Sequence, residues 1–256
     1  MPILARRLVS AAVALSALAG AAPAKAQLRD GFRSTSLARG DDNIGPFASL
    51  GFTANLRGNS VTSASACMNG YLTLGIQFEP AFCPYQGYST GLATLPQFGE
   101  VFGTAVVGVF RDLNSTPAAS GLLGYGSGTV DGRQAFGFTW DGVYSFGTTT
   151  SNFFQILFIN RSSDFGAGDF DIEYNYGALA VGGGVGGVAD DGGFSGTAYA
   201  VAVTPTANAR ALQCFRGGSV NNSVCAIVPE PSTVALTVAG LGALAGAAGL
   251  RRRRAA

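Results

Sequence analysis

Phe170-Asp171-Ile172-Glu173-Tyr174-Asn175-Tyr176 alternates apolar and polar side chains without a break. A period of two marks a strand, because successive side chains leave opposite faces of the extended backbone. The pattern predicts one face on a core and a wet face carrying Asp171, Glu173 and Asn175. Upstream, Phe153 to Ile159 is a nearly unbroken apolar run with three Phe and two Ile. A short run so rich in aromatic and β-branched residues predicts a central strand covered on both faces.

Working outward, Leu122–Val130 and Gln134–Trp140 flank Asp131-Gly132, a turn pair, and predict a hairpin. Tyr71-Leu72-Thr73-Leu74 follows Asn69-Gly70, a second turn signal. Phe47–Leu56 and Ala105–Phe110 read as further strands, and Tyr199–Val203 as the last one. Residues 79–94, with Pro80, Pro84, Gly87 and Gly91, read as a loop pinned by Cys83, and Gly182–Gly193 as a glycine loop. Many short strands separated by turn signals predict an all-β fold, an antiparallel β-sandwich. Scarce Glu, Lys and Gln beside abundant Phe, Val, Thr, Tyr and Gly point the same way.

The ends of the chain read differently. Residues 1–26 have a basic start (Arg6, Arg7), an apolar run from Leu8 to Gly20 and the small-x-small sequence Ala24-Lys25-Ala26. That is the pattern of a signal peptide cut before Gln27. Residues 27–42 are polar and mixed and read as a loose leader. Of the 16 basic residues nine lie in 27–227, against 14 of the 15 acidic ones, so the exported body carries about −5. A body of that sign argues against nucleic acid as partner, since phosphate binding needs a basic surface. Cys67, Cys83, Cys214 and Cys225 all fall in the exported part, where disulfides form. Three pairings are possible; Cys67–Cys83 with Cys214–Cys225 is favoured because sequence-near pairs close within single hairpins or loops.

With no histidine in the chain, Ser-His-Asp and Cys-His nucleophile systems are excluded, and His-ligated metals with them. Asp171 and Glu173 stand about 6.8 Å apart along one strand face, within the range of about 6.5–9.5 Å used by inverting glycosidases. A cleft lined by Trp140 or tyrosines would support that use; open solvent would end it. Gly182, Gly184 and Gly187 satisfy Gly-x-Gly-x-x-Gly, but Val-Ala-Asp-Asp-Gly-Gly follows, and the stretch reads as a loop. Asp112, Asn114, Asp164, Asp169, Asp190 and Asp191 are the weak candidates from which calcium could be held, although ordinary turn chemistry accounts for such residues well. No metal site and no catalytic residue is assigned. Thr148-Thr149-Thr150 forms no regular threonine array, which leaves ice binding a minor alternative.

Three stretches carry a family resemblance: Gly128-Thr-Val-Asp-Gly-Arg-Gln-Ala-Phe-Gly-Phe-Thr-Trp140, Asn152-Phe-Phe-Gln-Ile-Leu-Phe-Ile-Asn-Arg161 and Gly168-Asp-Phe-Asp-Ile-Glu-Tyr-Asn-Tyr176. Over about Val107 to Leu179 the chain resembles the extracellular nidogen-like (NIDO) domain, with Asn69–Leu74 similar to its opening strand. It departs from the family at Asp112-Leu113-Asn114, where members often carry Asp-x-Asp, and at Ala178-Leu179-Ala180, where a tryptophan is common. The resemblance implies a matrix or adhesion role for residues 43–227 and brings no catalytic residues.

The tail, 228–256, resembles a PEP-CTERM sorting signal: Val228-Pro229-Glu230-Pro231-Ser232-Thr233, an apolar stretch Val234–Leu250, then Arg251, Arg252, Arg253 and Arg254. As a helix over about 233–250 the stretch reaches about 25 Å, short but sufficient with local thinning. The arginines stay cytoplasmic, placing the body outside. The resemblance implies reading of Pro229, Glu230 and Pro231 by an exosortase-type membrane peptidase. The expected path is an inner-membrane intermediate followed by the cell surface or medium, where extracellular polymer or surface proteins are the partners. A secreted carboxylate-dependent glycan hydrolase is the alternative function.

Overall fold

A computed structural model describes residues 28–75, 83, 104–180, 185–190, 199–220 and 225. The chain divides into two compact units, 1–222 and 223–256. All described residues except Cys225 belong to the first. The signal peptide, the cleavage point and the sorting tail lie outside the described residues.

Fourteen strands follow in order among the described residues: β1 Thr35–Ser36, β2 Ala48–Leu56, β3 Asn59–Cys67, β4 Tyr71–Leu74, β5 Thr104–Val107, β6 Leu113–Asn114, β7 Leu122–Val130, β8 Arg133–Ser145, β9 Ser151–Asn160, β10 Phe170–Tyr176, β11 Gly186–Asp190, β12 Tyr199–Val203, β13 Arg210–Arg216 and β14 Ser219–Val220. One sheet runs β1-β7-β8-β9-β10-β13-β14 with β6 paired to β8; the other runs β12-β11-β5-β4-β3-β2. Every pairing is antiparallel, as expected of an all-β chain.

The hairpins follow from their turn residues. Asp131 and Gly132 take φ of 50° and 75°, and Arg57 and Gly58 take 52° and 90°. Two consecutive left-handed residues make the turn whose twist matches that of paired strands. Gly70, between β3 and β4, has φ 90°, and a Cβ there would stand 1.9 Å from the Val109 carbonyl oxygen. No side chain fits.

The inner faces of the two sheets share one core. Phe136, Phe138 and Trp140 of β8, Phe154, Ile156 and Phe158 of β9, and Phe170, Ile172, Tyr174 and Tyr176 of β10 pack with Leu50, Val61, Leu72 and Val106 of the other sheet. Trp140 stacks on Phe154 at 4.5 Å and donates its Nε1 hydrogen to the Met68 carbonyl at 2.8 Å. Tyr176 donates to the Gly108 carbonyl across the sandwich, and burial pushes its phenol far above the ordinary range. Both polar tips therefore find acceptors while the rings add apolar burial.

The outer face of the larger sheet differs from expectation. Cross-strand register places Asp171, Glu173 and Asn175 beside Ile159, Leu157 and Gln155, and these beside Ala135, Gly137 and Thr139. The expected wet face is buried: Asp171, Glu173 and Asn175 are at most 4% exposed. Arg161 and Arg216 close over Asp171, and the stretch expected to be a loose leader covers the rest of the row. Residues 28–37 cross this face as a strap, Phe32 enters a small cluster with Val130, Ala135, Leu157 and Ile159, and β1 pairs with β7. Gly128 and Gly137 make the slot: a Cβ on either would meet Phe32 within 3 Å. Two smaller differences follow from short polar-flanked strands that carry little periodicity. The glycine stretch 182–193 contains β11, and β12 is followed by β13 and β14.

Candidate functional site

The strand that decides the fold also carries the most concentrated polar chemistry. Glu173 accepts from Arg29 at both oxygens, Nε to Oε1 at 2.6 Å and Nη2 to Oε2 at 3.0 Å. Asn175 donates to its Oε1 at 2.7 Å, and Arg210 stands 3.4 Å away. Asp171 accepts from Arg161 at 2.6 Å and Arg216 at 2.7 Å. Arg216 lies 4.1 Å over the Phe165 ring and also donates to the Phe170 and Phe215 carbonyls. Asp171 and Glu173 are thus each matched by two guanidinium groups, the arrangement that buried charge requires.

A row of amides continues from it. Gln155 Nε2 donates to Thr139 Oγ1 at 2.8 Å and to the Arg29 carbonyl at 3.0 Å. Its Oε1 accepts from the Arg29 amide nitrogen at 3.1 Å and from Asn175 Nδ2 at 3.2 Å. Gln155 therefore clamps the Arg29 backbone as a neighbouring strand would. Nothing in an apolar run signals that its one amide has this task. Arg29, Phe32 and Gln155 are the residues that sequence reasoning missed.

The glycosidase arrangement is not assembled. Asp171 and Glu173 have their lone pairs committed to arginines, and Trp140 projects from the opposite face of the sheet into the main core. No cleft is shared between them.

The calcium positions are dispersed among ordinary structural tasks. Asp164 is gripped by Arg133, with Arg161 at 3.4 Å, and the Arg133 hydrogen bond leads in holding its carboxyl below the usual range. Asp169 accepts from the Gly217 amide, Asp190 from the Thr104 hydroxyl and Asn114 from the Thr116 amide. Asp191 lies outside the described residues. Asp112 lies close enough to Asp41 and Asp42 to repel. Burial first, then Asp42 and Asp112, raises the Asp41 carboxyl; burial and then Asp42 raises Asp112. Among the described residues no three His, Cys, Asp or Glu side chains are grouped to hold a metal ion.

Beside this acidic trio sits Asn69, fully buried. It donates to Asp42 Oδ1 at 2.8 Å and to the Cys83 carbonyl at 2.9 Å, and accepts from the Leu113 amide at 2.9 Å. One amide thereby ties three distant segments, next to the Cys67–Cys83 disulfide. Cys214 and Cys225 are also disulfide-bonded, and no cysteine is free.

Comparison with known families widens the resemblance read from the sequence. Residues 24–213 match the NIDO-related family model, including the strap, β1 and most of β13. Residues 228–254 match the PEP-CTERM protein-sorting motif, which makes the chain a sorted, extracellular protein. No curated protein and no solved structure matches. With three quarters of its length inside one family model, the chain belongs to the NIDO-related family and carries a PEP-CTERM sorting motif after that domain.

Proposed function

We propose that the protein is a structural or adhesive component of the cell surface or extracellular polymer matrix, delivered there by its tail. The observation that carries this reading is the joining, in one chain, of a NIDO-related domain and a sorting motif. The interior chemistry supports it. All nine arginines of the body are engaged, seven with the carboxylates and carbonyls described by the hydrogen bonds and ion pairs of Arg29, Arg33, Arg39, Arg133, Arg161, Arg210 and Arg216, and Arg57 and Arg111 with partners of their own. The body has no lysine. Charged side chains serve to brace the sandwich, as suits a module that bears load rather than one that turns over a substrate.

Sorting begins with an exosortase-type peptidase reading Pro229-Glu230-Pro231, with the apolar helix holding the chain in the inner membrane and Arg251–Arg254 on the cytoplasmic side. Release or transfer to the surface follows. A deletion strain tests the role: loss of cell aggregation, biofilm mass or matrix retention is expected, restored by the complemented gene. Unchanged aggregation, biofilm and matrix composition would refute an adhesive or structural role.

A further inference from the structure

The strap and the face beneath it have the properties of a ligand and its groove. Arg29 and Phe32 are its anchors on that face, while Asp30, Gly31 and residues 33–36 remain exposed and Leu37 already belongs to the main core between the sheets. The groove answers each anchor with a different device. Glu173 meets the Arg29 guanidinium through two parallel hydrogen bonds, a geometry specific to arginine. Gln155 reads the backbone of the same residue. Gly128 and Gly137 leave a slot the width of one aromatic ring, floored by Leu157. Asp141 pairs with Arg33 at the far end, so two cations on the strap face two carboxylates on the sheet.

The cluster around Phe32 is separate from the main core between the sheets. Lifting residues 28–36 therefore uncovers Val130, Ala135, Leu157 and Ile159 without parting the sandwich. An empty groove is costly, since it exposes that apolar floor and takes the Arg29 contacts from Gln155 and Glu173, leaving Glu173 with Arg210 and Asn175 and Gln155 with Thr139 and Asn175. The groove calls for occupation, and only a segment with arginine three residues before phenylalanine satisfies all of it.

We propose that the strap exchanges between copies of this protein, so that Arg29 and Phe32 of one copy fill the groove of another. Every contact in the exchanged pair is one that the single chain already makes. A reciprocal exchange is closed and two-fold, each copy giving one strap and receiving one. Concentration decides between the two forms. A strap tethered to its own body has an effective concentration of the order of millimolar, so dilute protein keeps its strap. Copies crowded on a surface approach that value, and exchange then links them. The inference does not depend on the adhesive role, because exchange is read on purified protein and a silent deletion strain would leave it standing.

Charge reversal tests it on the full chain. R29E and E173R each place like charges in their own groove, yet the R29E strap suits the E173R groove and the E173R strap suits the R29E groove. Mixed in equal amounts, the two are expected to form dimer at about ten-fold or more the level of either alone, by size exclusion with light scattering. The double variant R29E/E173R should return to monomer. Two folded single variants that stay monomeric when mixed would overturn exchange. If E173R fails to fold, the full-length F32A chain serves instead, with a synthetic peptide of residues 28–37 as probe. A rise in melting temperature that is absent with the peptide's own Arg29→Ala version supports the groove, and no rise overturns it.

Discussion

Arg29 and Glu173 are 144 positions apart in the chain, and their side chains meet through paired hydrogen bonds of 2.6 and 3.0 Å. The contact fastens the first described residues to the centre of the larger sheet. Glu173→Gln removes the charge and leaves Arg29 and Arg210 facing a neutral amide. The expected loss is about 3 kcal/mol, the low end for breaking a buried pair, since 26% of the Arg29 side chain is still in water. Urea unfolding measures it. Arg33→Ala, which breaks an exposed pair with Asp141, should cost under about 1 kcal/mol.

Gly137→Ala should loosen the strap specifically. Its Cβ would sit 2.4 Å from Leu157 Cδ2 and 2.9 Å from Phe32 Cβ. Overpacking of this kind costs about 1–3 kcal/mol, and the strap is the part free to move away. Limited proteolysis should cut within residues 28–37 of the variant well before the remaining body, and before any cut in the wild type. Gly132→Ala has open space around its Cβ and should leave the strap protected.

The contrast between the two faces of β10 shows what was legible. Phe170, Ile172, Tyr174 and Tyr176 lie on the core as their period required, and Asp131-Gly132 turns the chain between β7 and β8 as that pair prescribes. The other face of β10 was misread because period two reports only that alternate residues differ in polarity. Whether a polar row meets water or a distant arginine is decided by tertiary packing, here by a segment 144 positions upstream. That segment looks like a leader because its anchors, Arg29, Phe32 and Leu37, follow neither period. β13 was missed for a related reason: Arg210-Ala-Leu-Gln-Cys-Phe-Arg216 mixes charge and apolar residues because its arginines serve Asn175 and Asp171. The polar site was legible as residues but not as an assembly.

Acid should relieve one end of the molecule. Asp41 and Asp112 have carboxyls raised by burial and by neighbouring carboxylates. A raised acid is less favourable ionised in the folded chain than in the unfolded one. Its cost is absent below the unfolded value of about 3.9, and it develops as pH rises through the folded value. Asp112→Asn should therefore raise the melting temperature at pH 7 and converge on wild type below about pH 4. The Phe146 amide bond to the Asp112 carbonyl is backbone and survives the change.

Replacing Cys67 and Cys83 by serine opens a loop spanning 16 positions. The chain-entropy model assigns a loop of that size about 3 kcal/mol. The same change frees the Cys83 carbonyl that Asn69 holds, so Asn69→Ala on top of it should cost less than Asn69→Ala alone. A double-mutant cycle by denaturant unfolding measures that coupling.

The tail decides where this protein goes, and fractionation tests that directly. A chain carrying an internal tag in the body is followed in wild-type cells and in cells lacking the sorting peptidase. In wild-type cells the tagged body should be recovered at the surface or in the medium, with a mass that ends near Pro229-Glu230-Pro231. Without the peptidase it should remain in the inner membrane with residues 228–256 attached. The same location and the same intact mass in both strains would contradict the claim that the tail sorts this protein.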